Sequence, residues 1–443
     1  MRSRNPARSE PDGHDSTSNR RSMRFRRLGA LLAVLLCAAA SARAEGPLVE
    51  EDPLWRLPFA PDGVGVGWKE GVTYGFDWPV KLRGRVGASI DLDGGWVGGS
   101  PDSKWDGLVR RARFDTRGKL YHWLGPAYRF QFALEEDKVF LNDFFLRWPI
   151  AYSWIDSVRI GYFDPPLSLA ALEPSDSTAL MEIPAPVAAF APGFRAGVEA
   201  VGTWAAPDIS WQTAISAAGQ EGQNQGQVSK TGFRWTGRVV WRPTREETNE
   251  ETKEDSLLHL GLGLEYTFSG KAGFAFRARP ESFLVDFLVD TDEIEGGAGF
   301  TVFEVAWRRG PLSVLSEVFG AFLGTGGKEV LLYGGYAEVR YSLTGETRPY
   351  HRGSAGFGHM EPTRPFSWKQ RHWGALELTG RASWVDLDHD PVQGGKMLTT
   401  NLGLVWTLND HVRLHAGWVY ADAKRRGKGT EVYIVQSRLE LRF

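Results

Sequence analysis

The stretch that most constrains the fold is the final one, Glu431 to Phe443, which reads EVYIVQSRLELRF. Tyr433, Val435, Ser437, Leu439, Leu441 and Phe443 fall on one side of an extended chain. Val432, Ile434, Gln436, Arg438, Glu440 and Arg442 fall on the other. Side chains of a strand alternate between its two faces, so this is a strand pattern running to the last residue. Terminal strands of soluble proteins usually trail further residues. An alternating segment closing on an aromatic residue is expected of the last strand of an outer-membrane β-barrel.

The rest of the chain is consistent with that expectation. After residue 45 no segment approaches the roughly eighteen uninterrupted apolar residues of a membrane-spanning helix. Mean hydropathy is −0.30, which a spanning barrel tolerates because only one face of each strand meets lipid. The 18 Trp, 25 Phe and 12 Tyr suit aromatic girdles at two membrane interfaces.

The first 44 residues read as an export signal. Arg24, Arg26 and Arg27 precede the apolar run LGALLAVLLCAAA, and Ala42-Arg43-Ala44 is a small-x-small cleavage site. The polar stretch before Met23 is unusual for a signal, and Met23 is an alternative start. Cleavage after Ala44 removes nine Arg and three acidic residues, leaving 43 basic against 51 acidic residues. It also removes the single cysteine, Cys37. Leu36 before it does not suit a lipoprotein site, and the mature chain has no disulfide, thiol catalyst or cysteine metal centre. Residues 45–78 are expected to form a periplasmic lead-in, and 79–443 the barrel.

The first barrel strand is expected at 80–92. Val80, Leu82, Val86, Ala88 and Ile90 face one side, and Lys81, Arg83, Arg85, Ser89 and Asp91 the other. Arginine on lipid at mid-membrane costs about 2–4 kcal/mol, so the charged row must face the lumen. Fifteen further strands are expected near 106–119, 126–136, 139–149, 155–164, 193–204, 207–218, 231–242, 257–268, 299–309, 311–322, 329–344, 371–387, 396–408, 411–423 and 431–443. The fold class is thus all-β, an antiparallel up-and-down barrel of sixteen strands, with eighteen as the alternative count. Tight turns at 205–207, 310–311 and 409–410 mark the periplasmic end. Longer loops at 93–105, 164–192, 219–230, 269–298, 388–395 and 424–430 mark the other. The links 246–255 and 345–370 do not fit this alternation. The apolar, Pro- and Ala-rich loop 164–192 needs cover, which folding into the barrel would supply.

Arginine gathers on the inward rows. Arg111, Arg113, Arg117 and Lys119 share a face with Asp115; Arg129 lies with Gln131 and Glu135; Arg234, Arg238 and Arg242 share another. Arg110 has outward parity, and a bulge or strand-end position must relieve it. Guanidinium stays charged and offers forked donors to oxyanions, and weak sites in series pass ions without trapping them. Inward charges that merely solvate a wet lumen are the alternative. A hydrolase reading rests only on His259 near Ser256. The cluster Asp386, Asp388, His389 and Asp390 lacks the spacing of a calcium loop. No cofactor, metal site or nucleic-acid patch is expected.

Several segments in order across 76–443 resemble the phosphate-selective porin O/P family. They include KLRGRV at 81–86, VRRAR at 109–113, VRIGYF at 158–163, Gly237-Arg238 ahead of Pro243, RARPE at 277–281, YSLTGE at 341–346, GALEL at 374–378 and RLELRF at 438–443. The resemblance implies a sixteen-stranded, usually trimeric porin with inward loops and an arginine ladder leading anions to a central basic site. Carried over by motif, the ladder is Arg85, Arg110, Arg111 and Arg238, with Arg277 and Arg279 offered by the fifth outer loop. With the inward rows, the candidate anion path is Arg83, Arg85, Arg110, Arg111, Arg113, Arg129, Arg234, Arg238, Arg277 and Arg279. Phosphate-specific members carry basic residues in the constriction loop. Here 173–184 reads EPSDSTALMEIP, with Glu173, Asp176 and Glu182 and no basic residue, which separates membership from phosphate specificity. The function expected is passive diffusion of small hydrophilic solutes with an anion or phosphate preference and no enzymatic activity. A non-selective or cation-leaning pore is the alternative; a barrel hydrolase or structural barrel is the remoter one. Expected partners are small inorganic or organic anions, outer-membrane lipid and lipopolysaccharide, the barrel assembly machinery and further copies of the chain in a homotrimer.

Overall fold

The computed structural model describes three short segments, 55–56, 64–68 and 72–76, and residues 81–443 except 100–102, 122–124, 136–137, 153, 218–227, 230–231, 244–255 and 269–272. The export signal expected at 1–44 lies outside the described residues.

Sixteen antiparallel strands, nine to eighteen residues long, form the barrel. The first is Leu82–Gly99, the second Lys104–Leu120 and the last Lys428–Arg442. The last strand closes on the first, from Val432 opposite Gly99 to Arg442 opposite Ser89. Closure pairs the edges that an open sheet would expose. Outward rows are apolar, as with Phe233, Trp235, Val239 and Trp241 on the eighth strand, Phe233–Trp241.

The lead-in expected before residue 79 contains strands after all. Trp55–Arg56, Val64–Trp68 and Val72–Phe76 form an antiparallel meander whose last strand pairs with residues 82–86 of the first barrel strand. Alternate glycines in VGVGW dilute the apolar signal there. The pairing has a physical reason. The last strand ends with Phe443 bonded to Ala88 in both directions, at 3.0 and 2.8 Å, so the edge of 82–86 needs another partner.

Two of the loops expected on the outer side, 388–395 and 424–430, are tight hairpins, as is the connection between the eleventh and twelfth strands, because the strands run further than the periodicity showed. The turns fall at 326–327, 390–391 and 426–427. Loop 164–194 lies inside the barrel. It holds two short helices, Leu169–Leu172 and Ala185–Phe190. Leu167, Leu169, Val187 and Phe190 pack with Val302, Leu315, Phe319, Leu332 and Val385 of the barrel wall, and with Phe274, Phe276 and Val289 of the fifth outer loop. Over this half the lumen wall therefore carries an apolar patch beside its paired charges such as Arg238 and Glu304. The loops cover those residues from water.

Three inward glycines, at 263, 334 and 403, give the loop room. A Cβ at 263 would lie 2.0 Å from the Leu167 carbonyl oxygen; at 334 it would meet Pro186, and at 403 Leu180. Gly263→Val is expected to lever the loop root off the wall and lower the thermal unfolding midpoint, by on the order of 1–3 kcal/mol of overpacking. An unchanged midpoint in detergent would show that the loop does not rest there.

The link 343–374, unexplained by periodicity, folds back into the barrel mouth. Its root is the YSLTGE motif. Gly345 sits at φ +95°, a region open to glycine. Ser342 Oγ donates to Glu346 at 2.8 Å and accepts from the Glu346 amide at 3.1 Å. This turn sends Arg348 and Tyr350 inward.

Candidate functional site

With loops and link filling one side, open space remains along strands one to five. A cavity of about 1160 Å³ is lined there by the inward rows and by residues of loop 164–194 and the fifth outer loop. Seven of the ten candidate arginines line it: Arg83, Arg85, Arg110, Arg111, Arg113, Arg129 and Arg279. Arg234, Arg238 and Arg277 do not.

Arg110 reaches the lumen through a bulge. Asp91 pairs with Arg111 and Leu92 with Val109, so Arg110 is the extra residue and both arginines point inward. A bulge does this by inserting one residue against none on the partner strand. Arg110 donates to Glu182 at 2.9 and 3.2 Å and to Glu135 at 2.8 Å. Its guanidinium lies 3.4 Å from the centre of the Phe283 ring. Arg111 is paired with Asp91, and Arg113 donates to Ser175. Arg279 stands between Phe283 and Phe287, 4.7 and 4.5 Å from their centres.

The acidic loop residues face the wall. Glu173 accepts two bonds from Arg340, at 2.7 and 2.9 Å. Glu182 accepts from Arg438 at 2.6 Å as well as from Arg110. Loop carbonyls are held likewise: Arg381 donates to Glu182 O at 2.8 Å, Arg413 to Thr178 O at 3.0 Å and Arg442 to Asp176 O at 2.7 Å. Burial alone would raise the Glu182 carboxyl. Arg110, Arg438 and Arg111 outweigh it and hold that carboxyl well below the usual range. At the loop root, burial and neighbouring Asp143 push Asp164 up to about 8 against the pull of Arg159 and Arg195, so it adds little negative charge at neutral pH.

Arg234 and Arg238 are buried ties. Arg234 pairs with Glu265 at 2.5 Å. Arg238 makes two bonds of 2.8 Å to Glu304 and one of 2.9 Å to Ala355 O, holding the link. Arg277 stacks on Phe287 at 4.6 Å. His259 bonds Glu304 at 2.9 Å and Tyr350 at 2.7 Å rather than Ser256. Asp386 and Asp390 pair with Lys396 and Lys328.

The cavity wall holds more cations than the ten candidate arginines. Arg117, Lys119, Arg147 and Arg159 also line it. In register, Arg83 stands opposite Lys119, Arg85 opposite Arg117, Arg117 opposite Arg129, and Arg147 opposite Arg159. Parity alone had put Arg117 and Lys119 on the inner row. Their pairing with other cations shows only once the strands are aligned.

The sequence pattern of a family described as phosphate-selective porin O and P matches residues 80–443. An uncharacterized protein of Caulobacter vibrioides is 30% identical over 83% of this chain and 74% of its own length. Porin O of Pseudomonas aeruginosa is 24% identical over 80% of this chain and 85% of its own. Among solved structures, the anion-selective porin from Comamonas acidovorans superposes with a TM-score of 0.50 at 11% identity, covering 82% of this chain and all of that one; this likeness is one of fold. A closed sixteen-stranded barrel with inward loops and a match spanning all sixteen strands has one reading: the chain belongs to the phosphate-selective porin O and P family and is a porin of the bacterial outer membrane.

Proposed function

We propose that the pore prefers anions and that Arg85, Arg117 and Arg129, with Arg83, Lys119 and Arg147 beside them, carry the preference. The observation behind this is the in-register pairing of cation with cation on the open wall. Arg85, Arg117 and Lys119 form no ion pair among the described residues; Arg129 reaches Asp143 at 3.2 Å and Asp115 at 3.9 Å. On the opposite side of the lumen arginines are matched by carboxylates, as Arg234 by Glu265, Arg238 by Glu304 and Arg340 by Glu173. Unmatched positive charge on a wet, narrow wall concentrates anions by focusing the field. Small inorganic anions are the solute class, phosphate among them through forked guanidinium contacts.

The test is the reversal potential of the purified channel in a planar bilayer under a KCl gradient. An anion-signed value is expected. A zero or cation-signed value overturns the reading, and added phosphate reducing the chloride current would identify it as a preferred ion. The same reading takes residues 1–44 as an export signal and three copies of the chain as the working assembly. It rests there on the leader's composition and on the family resemblance.

A further inference from the structure

At the end of the barrel opposite loop 164–194, the second half of the link turns outward. Residues 362–374 read PTRPFSWKQRHWG, with Arg364, Lys369 and Arg371 and no acidic residue. Ser367 and His372 exchange backbone bonds of 3.0 and 3.1 Å and close a tight turn over 368–371. The turn is fixed to the barrel. The Phe366 amide donates to Leu408 O at 2.7 Å, and Trp406 Nε1 donates to Trp373 O at 2.5 Å. Phe366 meets Trp406 edge-on, with ring centres 5.6 Å apart. Trp406 shares its parity with Leu402 and Leu404, which are exposed on the outward row of the fourteenth strand, Val392–Asn409. The turn therefore sits over the lipid-facing wall.

What the turn presents is unusual for a periplasmic link. Trp368 is 78% exposed and Trp373 60% exposed. Arg364, Lys369 and Arg371 are exposed and form no ion pair among the described residues. Indole rings favour the headgroup level of a bilayer, where an apolar body and a polar N–H are both satisfied. Unpaired cations beside them have no partner within the barrel, and the complementary charge at that level is the lipid phosphodiester. The rim opposite the long loops faces the periplasm, so the adjoining leaflet is the inner one.

We propose that the 364–373 turn is a binding site for anionic phospholipid headgroups of the inner leaflet, with Trp368 inserted at the interface and Lys369 and Arg371 on the phosphodiesters. The site anchors the link from outside while Arg348 and Tyr350 hold its other half inside.

The test uses the full channel with Gln370→Cys carrying a nitroxide label. Cys37 is the single other cysteine of the sequence, and Cys37→Ser removes it where it persists. The channel is reconstituted in phosphatidylethanolamine vesicles with or without cardiolipin. Cardiolipin is expected to lower collision of the label with a water-soluble nickel chelate by severalfold. Lys369→Glu with Arg371→Glu should abolish that effect, since each cation near an anionic surface is worth about a fivefold preference. Equal collision rates in the two lipids would overturn the proposal. So would lipid-independent protection lost together with the oligomer in the double variant, because the turn would then be a contact between copies. The reversal potential is read from the opposite face of the wall, so a failure here and a failure of the anion reading are separate results.

Discussion

Replacing Glu182 by glutamine is expected to loosen the constriction loop and weaken the barrel together. Glu182 is the loop's contribution to a buried cluster in which Arg110 and Arg438 both donate to its carboxylate. Burying charges is costly and is offset only when each is matched. The variant leaves Arg110, Arg111 and Arg438 each with a wall carboxylate, Glu135, Asp91 and Asp93, so what is lost is the loop's own charged hydrogen bonds, about 1.5–3 kcal/mol. The loss falls on docking of residues 181–183, because the remaining partners belong to the wall or the adjacent strand. Expected results are a lower thermal midpoint and a larger, noisier single-channel conductance. Unchanged values of both would show that the apolar contacts of Phe190 and Val187 hold the loop alone. The pH sign follows from the depressed Glu182 carboxyl. A carboxylate held below its unfolded value stabilises fully above that value, about 4.3 for glutamate, and loses its contribution only as pH falls through the depressed one. The wild-type channel should therefore keep its conductance from pH 7 to pH 5. Glu182→Gln should show at pH 7 what the wild type shows only in strong acid.

This cluster also marks where the sequence stops being readable. Period-two alternation located all sixteen strands, because a row that flips by one residue would put charge on lipid. It also assigned the inward arginines to the inner face. It misassigned Arg110, since parity carries no signal for a bulge; the family motif was the better guide. It could not say which inward arginines meet water. Arg238 and Arg85 have the same parity and both match the family ladder. Arg238 lies against Glu304 and the folded-back link, and Arg85 against Arg117 and open space. What separates them is the path of two loops whose contacts are non-local. The acidic loop read in isolation as a feature opposed to anions. In the structure Glu173 and Glu182 are matched to wall arginines, so the charge of the pore is decided on the facing wall.

That contrast sets the second large effect. Like charges directly opposite one another on a sheet are unfavourable, and two unit charges about 6 Å apart in water repel by roughly 0.7 kcal/mol. A row of Arg85, Arg117 and Arg129 is therefore a modest cost to the fold and a local excess of positive potential in the lumen. Arg85→Glu, Arg117→Glu and Arg129→Glu together change the wall by six charges. The expected result is a reversal potential of opposite sign in a KCl gradient, largest at low salt. The Debye length is about 10 Å at 0.1 M and about 3 Å at 1 M, so the difference from wild type should shrink as both solutions are concentrated. The thermal midpoint should fall only modestly, since three acids in register repel about as much as three arginines do, while Arg129→Glu also removes the ion pair with Asp143. Arg238→Ala should do the reverse. It leaves Glu304 buried and unmatched except by His259, at a cost of about 3–5 kcal/mol, while keeping the sign of the reversal potential. If instead Arg238→Ala removes anion preference and the triple variant does not, the conducting path runs through the half of the barrel that the loops fill, and the wall of strands one to four is only its scaffold.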